Sequence, residues 1–194
     1  MRRNVLVCAT DEEAAKAIGA NGVKTLQYSG PASEYNFGQA YTNGEPWPVW
    51  KDKTYSRTID FQAGAIKIDR VAEPRDWQRR GGGLPLAATQ TVIVQAATPP
   101  VQQAAILLSP WAALKAAAAN HAALSSKTVN GKRHRVLTFT GPNKADVNVY
   151  IDDQQLVDRV ETWFDNAVSG DTLIQTDYSN YKDFGGVKVP TKIL

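Results

Sequence analysis

The sequence is poor in the residues that build cross-links and metal sites. Of its 194 residues, one is a cysteine, Cys8, and two are histidines, His121 and His134. A single cysteine excludes an internal disulfide, and a zinc site needs three or four ligands at workable spacing. We therefore expect no metal and no cofactor, and we interpret both histidines as surface or strand-edge residues. Cys8 lies in an apolar run with no activating neighbour, which is typical of an inert thiol.

The sequence also lacks a long apolar run and a strong charge. No stretch is long enough to span a bilayer. The 22 basic and 19 acidic side chains leave a net charge of +3, which does not indicate a nucleic acid or a membrane surface as partner. The opening segment MRRNVLVCAT has the arginines of an export signal, but its apolar run is shorter than the roughly 7–15 residues of such a signal. We interpret residues 1–10 as disordered or as the remnant of a signal.

No catalytic constellation is apparent in the sequence. The segment RRGGG at 79–83 does not match a phosphate-binding P-loop and is interpreted as a flexible loop. The carboxylates are scattered over predicted turns and strands, and nothing selects one pair for acid–base work. They include Asp152, Asp153, Glu161, Asp165, Asp171, Asp177 and Asp183. We expect the chain not to be an enzyme.

The sequence does contain clear signals for helix ends and strand turns. Thr10 and Glu13 form a capping box before a helix that Gly19 or Gly22 ends. Ser109-Pro110 predicts the start of a second helix, with Trp111, Leu114 and Ala118 on one face. Asn130-Gly131 between two strand-like runs predicts a two-residue hairpin with positive φ at both positions. Pro190 places the last strand at a sheet edge or a bulge.

The order of these elements predicts the fold class. A helix is followed by three or four strands, a second helix and five or six antiparallel strands. We expect an α+β protein in which one curved antiparallel β-sheet forms an incomplete barrel, with helices packed on one face. The prediction is a single domain over residues 11–194.

Tryptophan is abundant for a chain of this length, with five residues. Trp47 and Trp50 flank Pro48-Val49 in a segment that Pro46 keeps from being a regular central strand. Exposed loop tryptophans often mark contacts with a ligand or a partner. The alternative is that they fold back as lids on the open end of the sheet. The candidate ligand-binding residues are Trp47, Trp50, Tyr55, Trp111 and Trp163.

Several linked segments resemble a known family. They are AIGANGVKTLQYSG, GQAYTNGEPWP, YSRTIDF, RGGGLP, LKAAAANHA and VETWFDNAVSGDTLIQTDYSNYKDFGGVKVPTKI, in this order along the chain. Together they resemble the N-terminal, pre-catalytic domain of exported bacterial MBL-fold metallo-hydrolases, which is similar to the half-barrel of lipoprotein carriers. The segment VIVQAATPPVQQAAILL is less similar than its surroundings.

The resemblance implies a location and a partner. It implies a periplasmic or exported protein whose partner is a catalytic domain, although an intact signal peptide is not recognised here. The metal-binding H-x-H-x-D-H motif of that catalytic domain is absent, so its activity transfers to no residue of this chain. The family continues with further strand after the PTKI segment, so we expect Leu194 to be a truncated edge.

Three functions follow as expectations. The first is a non-catalytic accessory domain that binds an apolar small molecule, a lipid-like ligand or a partner domain, because a curved sheet with helices on one side can enclose an apolar cavity. The second is a small cone-shaped enzyme that uses buried carboxylates. The third is an assembly domain that forms a homo-oligomer through an open edge strand. An apolar cavity would favour the first function, and a charged cavity would favour the second.

Overall fold

A computed structural model of the protein describes residues 12–35, 40, 42–75, 89–94, 105–141, 144–166 and 170–194. The chain divides into two compact units, Lys24–Gln95 and Met1–Val23 with Ala96–Leu194. Each unit carries one antiparallel sheet, of four and of six strands. We refer to them as the four-stranded unit and the six-stranded unit. Residues 1–11, and with them the predicted cap Thr10 and the predicted signal remnant, lie outside the described residues.

The four-stranded unit is a simple antiparallel meander. Its strands lie in sequence order, β1-β2-β3-β4. They are β1 (Thr25–Tyr35), β2 (Val49–Asp60), β3 (Ala65–Arg75) and β4 (Thr89–Val94). A cross-strand row of Ile59, Ile66 and Val94 is buried, because direct neighbours in a sheet share one face. A bulge between Asp52 and Thr54 shifts the register of β2 against β3.

The six-stranded unit is a longer meander of consecutive hairpins. Its order is β10-β9-β8-β7-β6-β5. The strands are β5 (Ala123–Val129), β6 (Lys132–Thr140), β7 (Asp146–Ile151), β8 (Val157–Asn166), β9 (Gly170–Phe184) and β10 (Val187–Ile193). The β5–β6 turn has φ of 51° at Asn130 and 77° at Gly131, so the predicted hairpin is confirmed.

The described helices belong to the six-stranded unit. They are α1 (residues 12–17), α2 (residues 105–107) and α3 (Pro110–Ala119), and a short 3₁₀ turn covers Ala20–Gly22. Ser109 caps α3 as predicted, because its hydroxyl accepts a hydrogen bond from the Ala112 N–H at 3.3 Å. No helix among the described residues is long and apolar enough to cross a membrane.

The core of the six-stranded unit includes one face of α3, which contacts β6, β7 and β8. Trp111 and Leu114 are buried, whereas Ala118, which the sequence placed on the same face, is exposed. Pro110, Ala112, Ala113 and Ala117 are buried as well, so six of the ten residues of α3 are buried. The main sheet residues of this core are Leu137, Phe139, Val147, Val149, Ile151, Val157 and Val160.

The predicted combination of antiparallel sheet and helices is confirmed, but the prediction of one sheet was wrong. The strands form two sheets, and neither closes into a barrel over the described residues. Local patterns identify strands well, yet they do not specify which strand pairs with which across a long connection. The predicted single domain over 11–194 stays a prediction.

The end of α1 lies against the β9–β10 hairpin. Gly19 has a left-handed φ of 71°, and the Ile18 carbonyl accepts a hydrogen bond from the Lys188 N–H at 3.2 Å. The predicted edge position of Pro190 is confirmed, since β10 is the last strand of its sheet. With the Lys188 N–H already paired and Pro190 lacking one, residues 187–190 offer no free N–H on their outer side.

Candidate functional site

A cavity of about 770 Å³ lies in the six-stranded unit, where the start of β6, the β7–β8 turn and the middle of β9 meet. This volume is within the usual range for small-molecule sites. Its walls are formed by Lys132, Arg133, His134, Asp152, Asp153, Gln154, Leu156, Asp158, Tyr178, Ser179, Asn180 and Tyr181. A second cavity of about 280 Å³ shares four of these residues, namely Lys132, His134, Asp158 and Tyr178. Because His134 and Asp158 are among the shared residues, both cavities give a ligand access to the same histidine and carboxylate.

The β7–β8 turn places its side chains by tight local bonding. One carboxylate oxygen of Asp152 accepts hydrogen bonds from the N–H groups of Gln154 at 2.9 Å and Leu156 at 2.8 Å. Gln155 has a left-handed φ of 64°, and Asn180 on the opposite wall has one of 57°. Residues held in sparsely populated backbone regions cluster at functional sites, which is why these two positions are of interest here.

A bulge in β8 brings Asp158 into the cavity wall. Tyr150 pairs with Arg159 and Ile151 pairs with Val157, so Asp158 is the extra residue between two regular pairs. Bulges bend a strand and re-aim the side chain of the extra residue. This local irregularity explains how a residue 24 positions after His134 comes to meet it.

His134 and Asp158 form a close pair. The His134 Nε2 atom lies 2.6 Å from Oδ2 of Asp158, and the His134 Nδ1 atom lies 3.1 Å from the Lys132 carbonyl oxygen. A carbonyl can only accept, so Nδ1 carries a proton and donates it. The short contact on the other side therefore needs one further proton between Nε2 and Oδ2. Whether that proton sits on the imidazole or on the carboxyl group, the pair as a whole is neutral.

The surroundings of Asp158 favour retention of this proton. Its Oδ1 atom is buried and has no hydrogen-bond partner among the described residues. Burial raises the pKa of Asp158, and the interaction with His134 partly opposes that rise.

A chain of buried polar side chains crosses the same face of the sheet. Thr138 donates to Asn148 at 2.6 Å, and Asn148 donates to Glu161 at 3.2 Å. These residues are direct cross-strand neighbours, which explains their contact. The Tyr150 hydroxyl donates to the same carboxylate oxygen of Glu161 at 2.5 Å. Burial and Glu161 both raise the pKa of Tyr150.

Cations are held beside the Tyr150 ring. Arg159 donates to Asp177 at 2.6 Å, with its guanidinium carbon 5.8 Å from the ring centre. The Lys127 ammonium lies 3.3 Å from the Tyr150 hydroxyl and 5.5 Å from the ring centre. The His134 ring meets the same tyrosine edge-on, with ring centres 6.1 Å apart. His134 and Asp158 therefore lie beside a layer of hydrogen-bonded polar side chains. The layer consists of Lys127, Thr138, Asn148, Tyr150, Arg159, Glu161 and Asp177.

The interpretation of His134 as a surface residue was wrong. Its side chain is 4 % exposed, because the alternation of β6 places it on the same face as the fully buried Val136. The available signal was this alternation in KRHRV, since a strand position next to a buried valine is expected inside. His121 is exposed, as expected. Of the carboxylates noted in the sequence, Asp152 and Asp153 line the cavity, and Glu161 and Asp177 belong to the layer of hydrogen-bonded polar side chains.

Of the aromatic residues chosen from the sequence, Trp111 and Trp163 lie in the six-stranded unit but are not among the described residues that form the two cavity walls. Trp47 is 42 % exposed, Trp50 is part of β2, and Tyr55 is half-buried, all in the four-stranded unit. Trp111 is 2 % exposed in the core, and Trp163 is half-buried on β8. Their role as ligand contacts stays a prediction.

The four-stranded unit contains one buried carboxylate without a hydrogen bond. Asp52 is 1 % exposed, and neither of its oxygens has a hydrogen-bond partner among the described residues. Its burial and the nearby Glu34 raise the pKa of Asp52, whereas Arg70 opposes the rise. Arg70 is itself paired with Glu34 and bonded to Gln90 at 3.0 Å. A buried carboxylate in such surroundings destabilises the fold when it is ionised.

The substitution Asp52→Asn is expected to stabilise the protein at pH 7, on the order of 1 kcal/mol. The folded state holds the Asp52 proton more tightly than the unfolded chain does. The free energy of unfolding should therefore fall as pH rises from about 4 through the raised pKa, and the substitution should remove that fall. Urea unfolding at several pH values measures this, with the exposed Asp146→Asn as control. Equal pH dependence in Asp52→Asn and the unsubstituted protein would contradict the prediction.

Within the described ranges, no three histidine, cysteine, aspartate or glutamate side chains are grouped as a metal site requires. The chain matches no protein-family model, no curated protein and no solved structure.

Proposed function

We propose that the six-stranded unit is a binding domain for a small polar molecule, which it holds in the 770 Å³ cavity beside His134 and Asp158. The observation that carries this proposal is a cavity of ligand size whose wall contains the buried His134 in a 2.6 Å contact with the half-buried Asp158. Ligand sites typically combine a formed concavity with a few polar groups of fixed orientation. The pair is fixed by the Lys132 carbonyl on one side and by the β8 bulge on the other.

The lining favours a polar ligand over the apolar or lipid-like one expected from the sequence. Among the described residues of the wall, Leu156 is the only aliphatic one, and the wall carries charges of both signs. Two tyrosine rings supply flat apolar surface, but their hydroxyl groups are engaged. Tyr178 donates to the Leu108 carbonyl at 2.7 Å, and Tyr181 donates to the Val157 carbonyl at 2.6 Å. The rings are thereby held as rigid walls.

The wider role that we propose is that of an accessory domain. The half-barrel with helices on one face, the catalytic partner domain and the exported location all follow from the resemblance and belong to this proposal. The contact of α3 with β6, β7 and β8 supports the helical face. The third expected function, oligomerisation through β10, has less support, because residues 187–190 have no N–H free for another strand.

A second candidate function is acid–base catalysis in the same cavity. It is favoured by the proton that His134 and Asp158 share at 2.6 Å, since enzymes place such groups where a substrate can exchange a proton with them. In this case Asp158 would be the group that exchanges the proton, because its side chain is 33 % exposed while that of His134 is 4 % exposed. Release of a chemically altered product would distinguish catalysis from binding.

The binding proposal is tested by blocking the cavity. A panel of polar metabolite-sized molecules is titrated into ¹⁵N-labelled protein, and amide shifts are followed. We expect saturable shifts at residues 132–134, 152–158 and 178–181. In Ser179→Trp, whose new ring fills the cavity, the affinity should fall at least about tenfold. The control Ser126→Trp lies on exposed β5 away from the cavity and should bind normally. Shifts that are unaffected by Ser179→Trp would overturn the proposal.

A further inference from the structure

The charges of the cavity are divided between two chain segments. Lys132 and Arg133 begin β6 and supply the cations, whereas Asp152 and Asp153 begin the β7–β8 turn and supply carboxylates. His134 and Asp158 follow on the same two segments. Since the pair with its shared proton is neutral, the remaining wall carries two cations and two anions. A wall of this kind has little net charge but a strong dipole.

Unlike their neighbours, these wall charges form no ion pair with another described residue. Arg159 is paired with Asp177, and Arg135 is paired with Glu13. By contrast, the structure as described contains no ion pair for Lys132, Arg133 or Asp153. Asp152 uses one carboxylate oxygen for the backbone of its turn. The sheet thus neutralises its charges beside the cavity and leaves those of the cavity wall available.

We propose that the ligand of this cavity is a small zwitterion, such as a free amino acid or a short peptide. Its anionic group would lie at Lys132 and Arg133, and its ammonium group at Asp152 and Asp153. A ligand with a single charge would pair with only the two cations or only the two carboxylates. The charges left without a partner would lose the favourable energy of a charge-assisted hydrogen bond. This inference rests on the proposed binding function and specifies its ligand class.

The inference is tested with four probes of nearly equal size. They are triglycine, its N-acetyl form, its C-terminal amide and the form capped at both ends. Calorimetric titration should show that triglycine binds about tenfold more tightly than either singly capped form, and that the doubly capped form binds most weakly. The double variant Lys132→Glu and Arg133→Glu should lose this preference and favour the amide. The exposed Lys144→Glu, away from the cavity, is the control.

The outcomes separate the two proposals. Equal binding of all four probes, or absence of binding by triglycine and by free amino acids alike, overturns the zwitterion inference. The binding function then still stands if another polar ligand binds and is blocked in Ser179→Trp. The binding function and the zwitterion inference both fail if Ser179→Trp prevents the binding of no ligand. A preference for triglycine that persists in the Lys132→Glu and Arg133→Glu variant also overturns the inference, because the selectivity then comes from elsewhere.

Discussion

Replacement of Trp111 by alanine should lower the free energy of unfolding by about 3–5 kcal/mol. Trp111 is 2 % exposed on the inner face of α3, and that helix contacts three strands of the six-stranded sheet. Truncation removes a large apolar surface and leaves a cavity that a close-packed core can fill only in part. Chemical denaturation monitored by circular dichroism measures the loss.

The matched variant for this position is Trp111→Phe. The Trp111 Nε1 atom is buried and has no hydrogen-bond partner among the described residues, so an aromatic replacement loses packing volume without breaking a bond. We expect less than half of the alanine effect. If Trp111→Ala instead left stability unchanged and weakened ligand binding, the residue would be a ligand contact, as the sequence alone suggested, and its place in the core would be refuted.

Gly19→Ala should cost about 2–4 kcal/mol, the second largest effect that we expect. Gly19 has a φ of 71°, which is unfavourable for a residue with a Cβ atom. An added Cβ would also lie 2.2 Å from the Gly186 carbonyl oxygen. That oxygen belongs to backbone of the β9–β10 turn, so relief requires movement of the hairpin away from the end of α1. Thermal and urea unfolding measure the loss.

Gly22→Ala is the control for this substitution. Gly22 lies three residues later in the same segment, has no positive φ, and an added Cβ would meet no atom within 4 Å. We expect a change of less than about 0.5 kcal/mol. Equal effects at both glycines would show that the end of α1 does not lie against the hairpin.

The sequence predicts those parts of the fold that short-range chemistry determines. Asn130-Gly131 predicts its hairpin because few residues other than glycine and asparagine adopt positive φ. Ser109-Pro110 predicts the start of α3 because a side-chain cap and a missing N–H fit only one end of a helix. Pro190 predicts an edge because it cannot donate to a neighbouring strand. Each of these signals lies within a few residues of the structure that it determines.

The candidate site could not be predicted in the same way. His134 meets Asp158 only because three strands pair in register and a bulge then displaces one residue of β8. Sequence patterns indicate neither the bulge nor the pairing across the sheet. The strand alternation in KRHRV could have predicted that His134 is buried. It could not have identified which of the many carboxylates in the sequence is the partner of His134. The separation into two sheets was missed for a related reason, since β4 and β5 are both strands but do not pair.

The proposed site depends on a buried His134 that shares one proton with Asp158 at the cavity. Nuclear magnetic resonance of protein labelled with ¹⁵N in its imidazole rings tests this directly, because the chain has two histidines and His121 is exposed. We expect His134 to carry a proton on Nδ1 and to show a strongly deshielded, slowly exchanging proton, shared between Nε2 and Asp158, that disappears in Asp158→Asn. If the ring N–H protons of His134 instead exchanged with water as fast as those of His121, both with and without Asp158, a proton shared between His134 and Asp158 would be excluded.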